Sequence, residues 1–206
     1  TIDRILIIFT QNFKMKVLLI DFEYSRLCSD ITNLLIAQNH ECITALALPT
    51  SVIPAIKIGN SADRKLHRIL AGISDSMHLH SARATYNLLS RIPTQAPDIV
   101  HILNIKEYYL NLPLLSEILT RFHIPTVMTV ANPDTLYKNP NAIIKRTKHN
   151  LRTIEALLYA WDTLNIVVEN RVYSEHPILV DKPVYIIDST STDRQNHYLS
   201  LYENLS

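Results

Sequence analysis

Six short apolar runs, each bounded by turn residues and separated by stretches of helical periodicity, constrain this chain more than any other feature. They are Lys16–Asp21 (KVLLID), Cys42–Leu48 (CITALAL), Asp98–Leu103 (DIVHIL), Thr126–Val130 (TVMTV), Asn165–Val168 (NIVV) and Val184–Ile187 (VYII). The runs are continuous rather than alternating, the pattern of strands buried on both faces of a parallel sheet. Strands that alternate with helices imply an α/β Rossmann-like fold, a mostly parallel sheet with helices on both faces. In such sheets ligands sit beyond the C-terminal strand ends, so the residues just after each strand are the ones to examine.

The intervening segments read as helices. Ser29–Asn39 has apolar residues at helical spacing, with Ser29 or Asp30 available as cap. Ala62–Ser81 carries Leu66, Ile69, Leu70 and Ile73 on one stripe, and Ala82–Ile92 follows as a second helix. Leu112–Phe122 tolerates Pro113 in its first turn. Ala142–Ala160 is a long helix, and Asp193–Leu205 a terminal one leading into an interdomain linker. Ser51–Asn60, punctuated by Pro54 and Gly59, reads as loop. Residues 1–14 form a separate extension, either an extra edge strand or sequence upstream of an initiator at Met15.

Composition narrows the function. Hydrophobic residues make up 47% of the 206, enough for a real core. Twenty Lys+Arg against 19 Asp+Glu leave a net charge of +1, so no global field favours nucleic acid, and none is expected as a partner. No apolar run approaches the roughly 20 residues of a membrane span. Cys28 and Cys42 form neither a disulfide framework nor a zinc site, and a cytoplasmic setting is the default. Glycine numbers two, Gly59 and Gly72, against an average usage of about 7%. Loops that cradle phosphates need glycine where backbone meets ligand, so no Walker loop or dinucleotide fingerprint exists here. No cofactor and no metal are expected.

Several stretches carry a specific likeness. Pro97 to Ile105 (PDIVHILNI) and Tyr108 to Leu115 (YYLNLPLL) are similar to "PDIVHLHNI" and "GYYLNLPLL" of one family. Asn39-His40-Glu41 stands where that family writes "GHE", and Ile124 to Thr129 (IPTVMT) where it writes "IPVVWT". Ser174–Ile187 resembles the segment leading to its "VIPNGID". Residues 15–192 therefore resemble the N-terminal, acceptor-side Rossmann-like half of GT-B glycosyltransferases of the retaining family 4, of the exopolysaccharide, capsule or colanic-acid type. The resemblance implies transfer of sugar from a nucleotide-sugar to a polysaccharide or lipid-linked saccharide acceptor. It also implies a separate donor-binding C-terminal domain, which these residues do not contain.

The departures from the family pattern fall at its cleft. The glycine-rich loop after the first strand is Phe22-Glu23-Tyr24-Ser25-Arg26. The second histidine of "HLHN" is Leu103, and the "T-x-H-D" histidine and aspartate are Ala131 and Asn132. The "PNGID" hinge is Asp188 to Thr192, without glycine. Losses at each cleft motif beside an intact core imply a degenerate half that is inactive as this chain alone. The alternative is a non-catalytic scaffold or binding protein, or a gene remnant, derived from such an enzyme. Candidate acceptor-cleft residues are Glu23, Tyr24, Ser25, His101, Asn104, Tyr108, Tyr109, Asn111 and Asn132, with no catalytic residue assigned.

Each of these has an ordinary reading beside the functional one. His101 in an apolar strand reads first as a buried, hydrogen-bonded histidine. Asn104 is a site residue or a turn residue. Tyr108, Tyr109 and Asn111 suit sugar rings, but tyrosines also pack loops onto helices. Asp21 and Glu23 could pose as a carboxylate pair, with no partner acid across a cleft. Cys28 lies in a first helical turn, where the dipole lowers a thiol pKa, with no histidine evident beside it. His78 and His80, two apart, do not share a helix face. Lys145-Arg146-Thr147-Lys148-His149 with Arg152 is a solvated helix face, or a peripheral contact with phosphorylated lipid or the inner membrane surface.

Overall fold

The computed structural model describes residues 14–74, 80–103, 105, 109–139, 142–179, 181–188, 190–191 and 193–206. Among them, seven strands form one parallel sheet: β1 (Lys16–Asp21), β2 (Glu41–Leu46), β3 (Ile56–Lys57), β4 (Ile99–Ile102), β5 (Thr126–Val130), β6 (Leu164–Val168) and β7 (Val184–Ile186). Their order is β3-β2-β1-β4-β5-β6-β7. Every pairing is parallel, for example Leu19 opposite Thr44 on one side and His101 on the other. This is the doubly wound Rossmann-like arrangement, in which the strand order reverses between β1 and β4.

The uninterrupted apolar runs follow from that position. Leu18 and Ile20 of β1 point into one core with Val100, Ile102, Met128 and Ile166. Val17 and Leu19 point into the other with Ile99, Val127 and Val167. Helices α3 (Ala82–Leu89), α5 (Leu112–Arg121) and α6 (Thr147–Ala160) cover the first face through Leu88, Leu115, Ile154 and Leu158. Helices α1 (Arg26–Ala37) and α7 (Arg194–Leu205) cover the second through Ile31, Leu35, Tyr198 and Tyr202. The terminal helix is thus docked on the sheet, with Tyr198 and Tyr202 fully buried.

Several sequence expectations shift. Segment 51–60 contains β3, a two-residue edge strand too short to leave a periodic signal. Helix α1 begins three residues early because Ser25, not Ser29 or Asp30, caps it: its Oγ accepts from the Cys28 N–H at 3.2 Å. Helix α2 (Ser61–Ser74) ends before the expected Ser81, and 75–79 lie outside the described residues. The segment 82–92 is not one helix. It breaks after Leu89, since Pro93, in the first turn of α4 (Ile92–Gln95), has no N–H to continue the ladder. Residues 142–146 precede α6 rather than belonging to it. The Ile143 and Ile144 N–H groups donate instead to the Gly72 and Ile73 carbonyls, at 2.8 and 3.0 Å, at the end of α2.

The stripe on α2 is the largest reversal. Leu66, Ile69 and Ile73 face outward, while His67 and Ala71 are buried.

Candidate functional site

The loops after β1, β4, β5 and β6 meet beyond the C-terminal edge of the sheet, at the point where strand order reverses. They enclose a cleft of about 430 Å³, within the range of small-molecule sites. One part of its wall is apolar: Leu27, Leu103, Ile105 and Ala131. Hydroxyls and an amide supply the rest through Ser25, Thr129, Thr135 and Asn132. Glu169, just after β6, and Arg194, at the start of α7, form an ion pair at its rim. A second recess of about 350 Å³ lies between α1 and α7, against Arg26, Asp30 and Gln195, and shares Leu27 and Arg194 with the first.

The polar groups of this edge are largely committed to the fold. Ser25 Oγ donates to Asp21 Oδ2 at 2.6 Å while capping α1. Asn132 Oδ1 accepts from the Asp134 N–H at 2.9 Å and caps the 3-10 turn Pro133–Leu136. Asn111 caps α5, its Oδ1 accepting from the Leu114 N–H at 2.9 Å, and its own N–H donates to Thr85 Oγ1. Asp21 is fully buried, and burial raises its pKa against the opposing hydrogen bonds from Ser25 and Phe22. It buttresses the β1–α1 turn, and the exposed Glu23 adds only the smallest of the pushes on its pKa.

His101 is sealed inside. Its Nε2 lies 2.8 Å from Thr129 Oγ1 and its Nδ1 2.5 Å from the Tyr202 hydroxyl, and Thr129 Oγ1 lies 3.2 Å from the Tyr198 hydroxyl. In the neutral ring one nitrogen donates and the other accepts, so both are satisfied within the fold. Burial, with a smaller push from the Arg194 charge, lowers the His101 pKa to about 3. Neutral and doubly bonded, it locks α7 to β4 and cannot act as a base in the cleft.

Tyr24 is half-buried and packs against the α1–α7 side of the sheet. Tyr109 is buried with its ring 5.6 Å from that of Phe22, and its hydroxyl has no hydrogen-bond partner among the described residues. Burial, then the Asp21 and Cys28 charges, pushes its pKa well up. Asn104 and Tyr108 lie outside the described residues. Cys28 is buried on α1, and burial, with smaller pushes from Asp21 and Cys42, raises its thiol to about 12. His80 stands edge-on to His67 at 5.5 Å, and His78 lies outside the described residues. Among the described residues no cluster of three or more His, Cys, Asp or Glu could hold a metal ion.

Of the sequence candidates, Ser25 and Asn132 line the cleft. Leu27, Thr135, Glu169 and Arg194 are additions. Glu169 follows a predicted strand, so the rule of reading just past each strand would have found it. Arg194 had no such signal, because only the docking of α7 brings it to the rim. Nearby, Asp134 pairs with Lys138 at 2.7 Å and lies 3.5 Å from His176 Nε2. Hydrogen bonds from Lys138 and Tyr137 hold its carboxyl below the usual range.

No protein-family model matches the chain, and no curated protein matches it.

Proposed function

We propose that this chain is the acceptor-side half of a glycosyltransferase-like protein, one that holds a saccharide and transfers no sugar by itself. The observation that carries the reading is the make-up of the cleft at the strand-order reversal. Its apolar wall suits the C–H face of a sugar ring. The Glu169–Arg194 pair suits ring hydroxyls, while the Thr129 and Thr135 hydroxyls are already bonded to His101 and to the Asn132 carbonyl. The motif likeness around Pro97 to Leu115 supplies the chemical class. Transfer is disfavoured because His101, bonded to the cleft residue Thr129, is buried and neutral. Asn132 and Ser25, the amide and hydroxyl placed at loop starts, are spent on caps.

The runner-up is a scaffold with no saccharide ligand, favoured by that same commitment of polar groups to the fold. Calorimetry separates the two. The chain is titrated with oligosaccharide fragments and with UDP- and GDP-sugars, with a sugar-release assay alongside. Heat with an oligosaccharide, abolished in Ala131→Trp, which fills the cleft mouth, supports the acceptor reading. No heat with any saccharide supports the scaffold. Nucleotide-sugars should not bind at micromolar concentration, and turnover by the purified chain would refute the proposal.

A further inference from the structure

We infer that the outer face of α2, together with the segment before α6, is a docking surface for an anionic lipid bilayer. Leu66, Ile69 and Ile73 lie at i, i+3 and i+7 of α2, and are 58%, 57% and 45% exposed. Ile143 and Ile144, 80% and 51% exposed, lie in the segment whose backbone is hydrogen-bonded to the Gly72 and Ile73 carbonyls, beside the C-terminal end of that stripe. A soluble helix normally turns such a stripe inward. Here the inward face is already occupied by His67 and Ala71, so the aliphatic residues remain in water.

The charge around this patch is mainly positive. Residues 64–74 and 142–154 contain seven Lys+Arg and no Asp or Glu, with Asp63, Asp75 and Glu155 flanking them, in a chain whose net charge is +1. Lys65, Arg68, Lys145, Arg146, Lys148 and Arg152 are exposed. Long basic side chains rimming aliphatic ones can reach headgroups while the aliphatic residues enter the acyl boundary. A second copy would bring like charges together across the interface. A protein partner calls for aromatic anchors and few lysines, which this patch inverts. The inference stands on this surface alone and is independent of the function proposed for the cleft.

The test is flotation of the full chain with vesicles of phosphatidylcholine, alone or mixed with phosphatidylglycerol. Binding is expected to the mixed vesicles only, and to weaken as salt rises. Replacing Lys145, Arg146, Lys148 and Arg152 by Gln should lower it by on the order of 100-fold or more. Replacing Leu66, Ile69 and Ile73 by Ser should abolish the salt-resistant part. Arg91→Gln with Arg121→Gln, at exposed positions elsewhere, should change little. Ile143→Trp reports without weakening the patch: its emission should shift blue and be quenched by brominated lipid, whereas the native Trp161 is buried. No binding to mixed vesicles overturns the inference. So does equal loss in the Arg91/Arg121 variant, or an Ile143→Trp emission unchanged by lipid. Dimerisation relieved by the Ser variant, without vesicle binding, would instead assign the face to a second copy.

Discussion

Acid should unfold this protein through His101. In the folded chain the imidazole is fully buried between Thr129 and Tyr202 and titrates at about 3; released from the fold it returns to about 6.5. Between those values the unfolded chain binds a proton that the folded chain does not, so stability rises with pH there and is flat above about 7. Integrating over that window costs about 2 kcal/mol by pH 5 and roughly 3 by pH 4. For a chain of this size, 2 kcal/mol corresponds to a fall in Tm of about 4–8 °C. The assay is thermal unfolding followed by circular dichroism from pH 7.5 to 5, on the natural chain and on His101→Gln. Glutamine keeps a donor and an acceptor for Thr129 and Tyr202 but does not titrate. It should be less stable at pH 7.5, by about 1–3 kcal/mol for imperfect bonds, yet lose about 2 kcal/mol less on going to pH 5. Equal pH dependence in the two proteins would refute the argument, as would an NMR titration of the folded chain with His101 protonating near 6.5.

The two glycines should respond oppositely. Gly59 has φ +61° and a Cβ there would lie 2.8 Å from Ala84 Cβ, so Gly59→Ala should cost about 1–3 kcal/mol in denaturant unfolding. Gly72, inside α2 with nothing within 4 Å of a built Cβ, should gain up to about 1 kcal/mol as Ala. Tyr109→Phe removes a buried hydroxyl with no partner among the described residues, and should be neutral or stabilising by about 1 kcal/mol, whereas a loss above that would reveal a partner. Cys28 and Cys42, raised by burial to about 12 and about 11, should resist iodoacetamide at pH 8 until denaturant is added; mass spectrometry counts the adducts.

The fold was legible because central parallel strands must be apolar on both faces, and that demand writes itself into local sequence. Lys16–Asp21 and Thr126–Val130 are bounded in the structure as the apolar runs are. Elements held by tertiary contacts were not legible. β3 exists because Ile56 and Lys57 pair beside Ala45 and Leu46, and Ile143 and Ile144 leave the helical path to bond with α2. Periodicity identified the stripe Leu66, Ile69 and Ile73 but not its direction. A 3.6-residue repeat defines a face, and only the surrounding packing decides whether that face meets core or water. The same division runs through the site. Strand ends indicated where a cleft would open, and Ser25 and Asn132 stand there as expected. Whether a polar residue remains available depends on distant neighbours: Tyr202, 101 residues from His101 in sequence, turns a site candidate into a structural lock. Arg194 reaches the cleft only because α7 docks. Local sequence carries the free energy of burying a strand or starting a helix. The pairing of remote side chains is decided by closure of the whole chain, which no short window of sequence records.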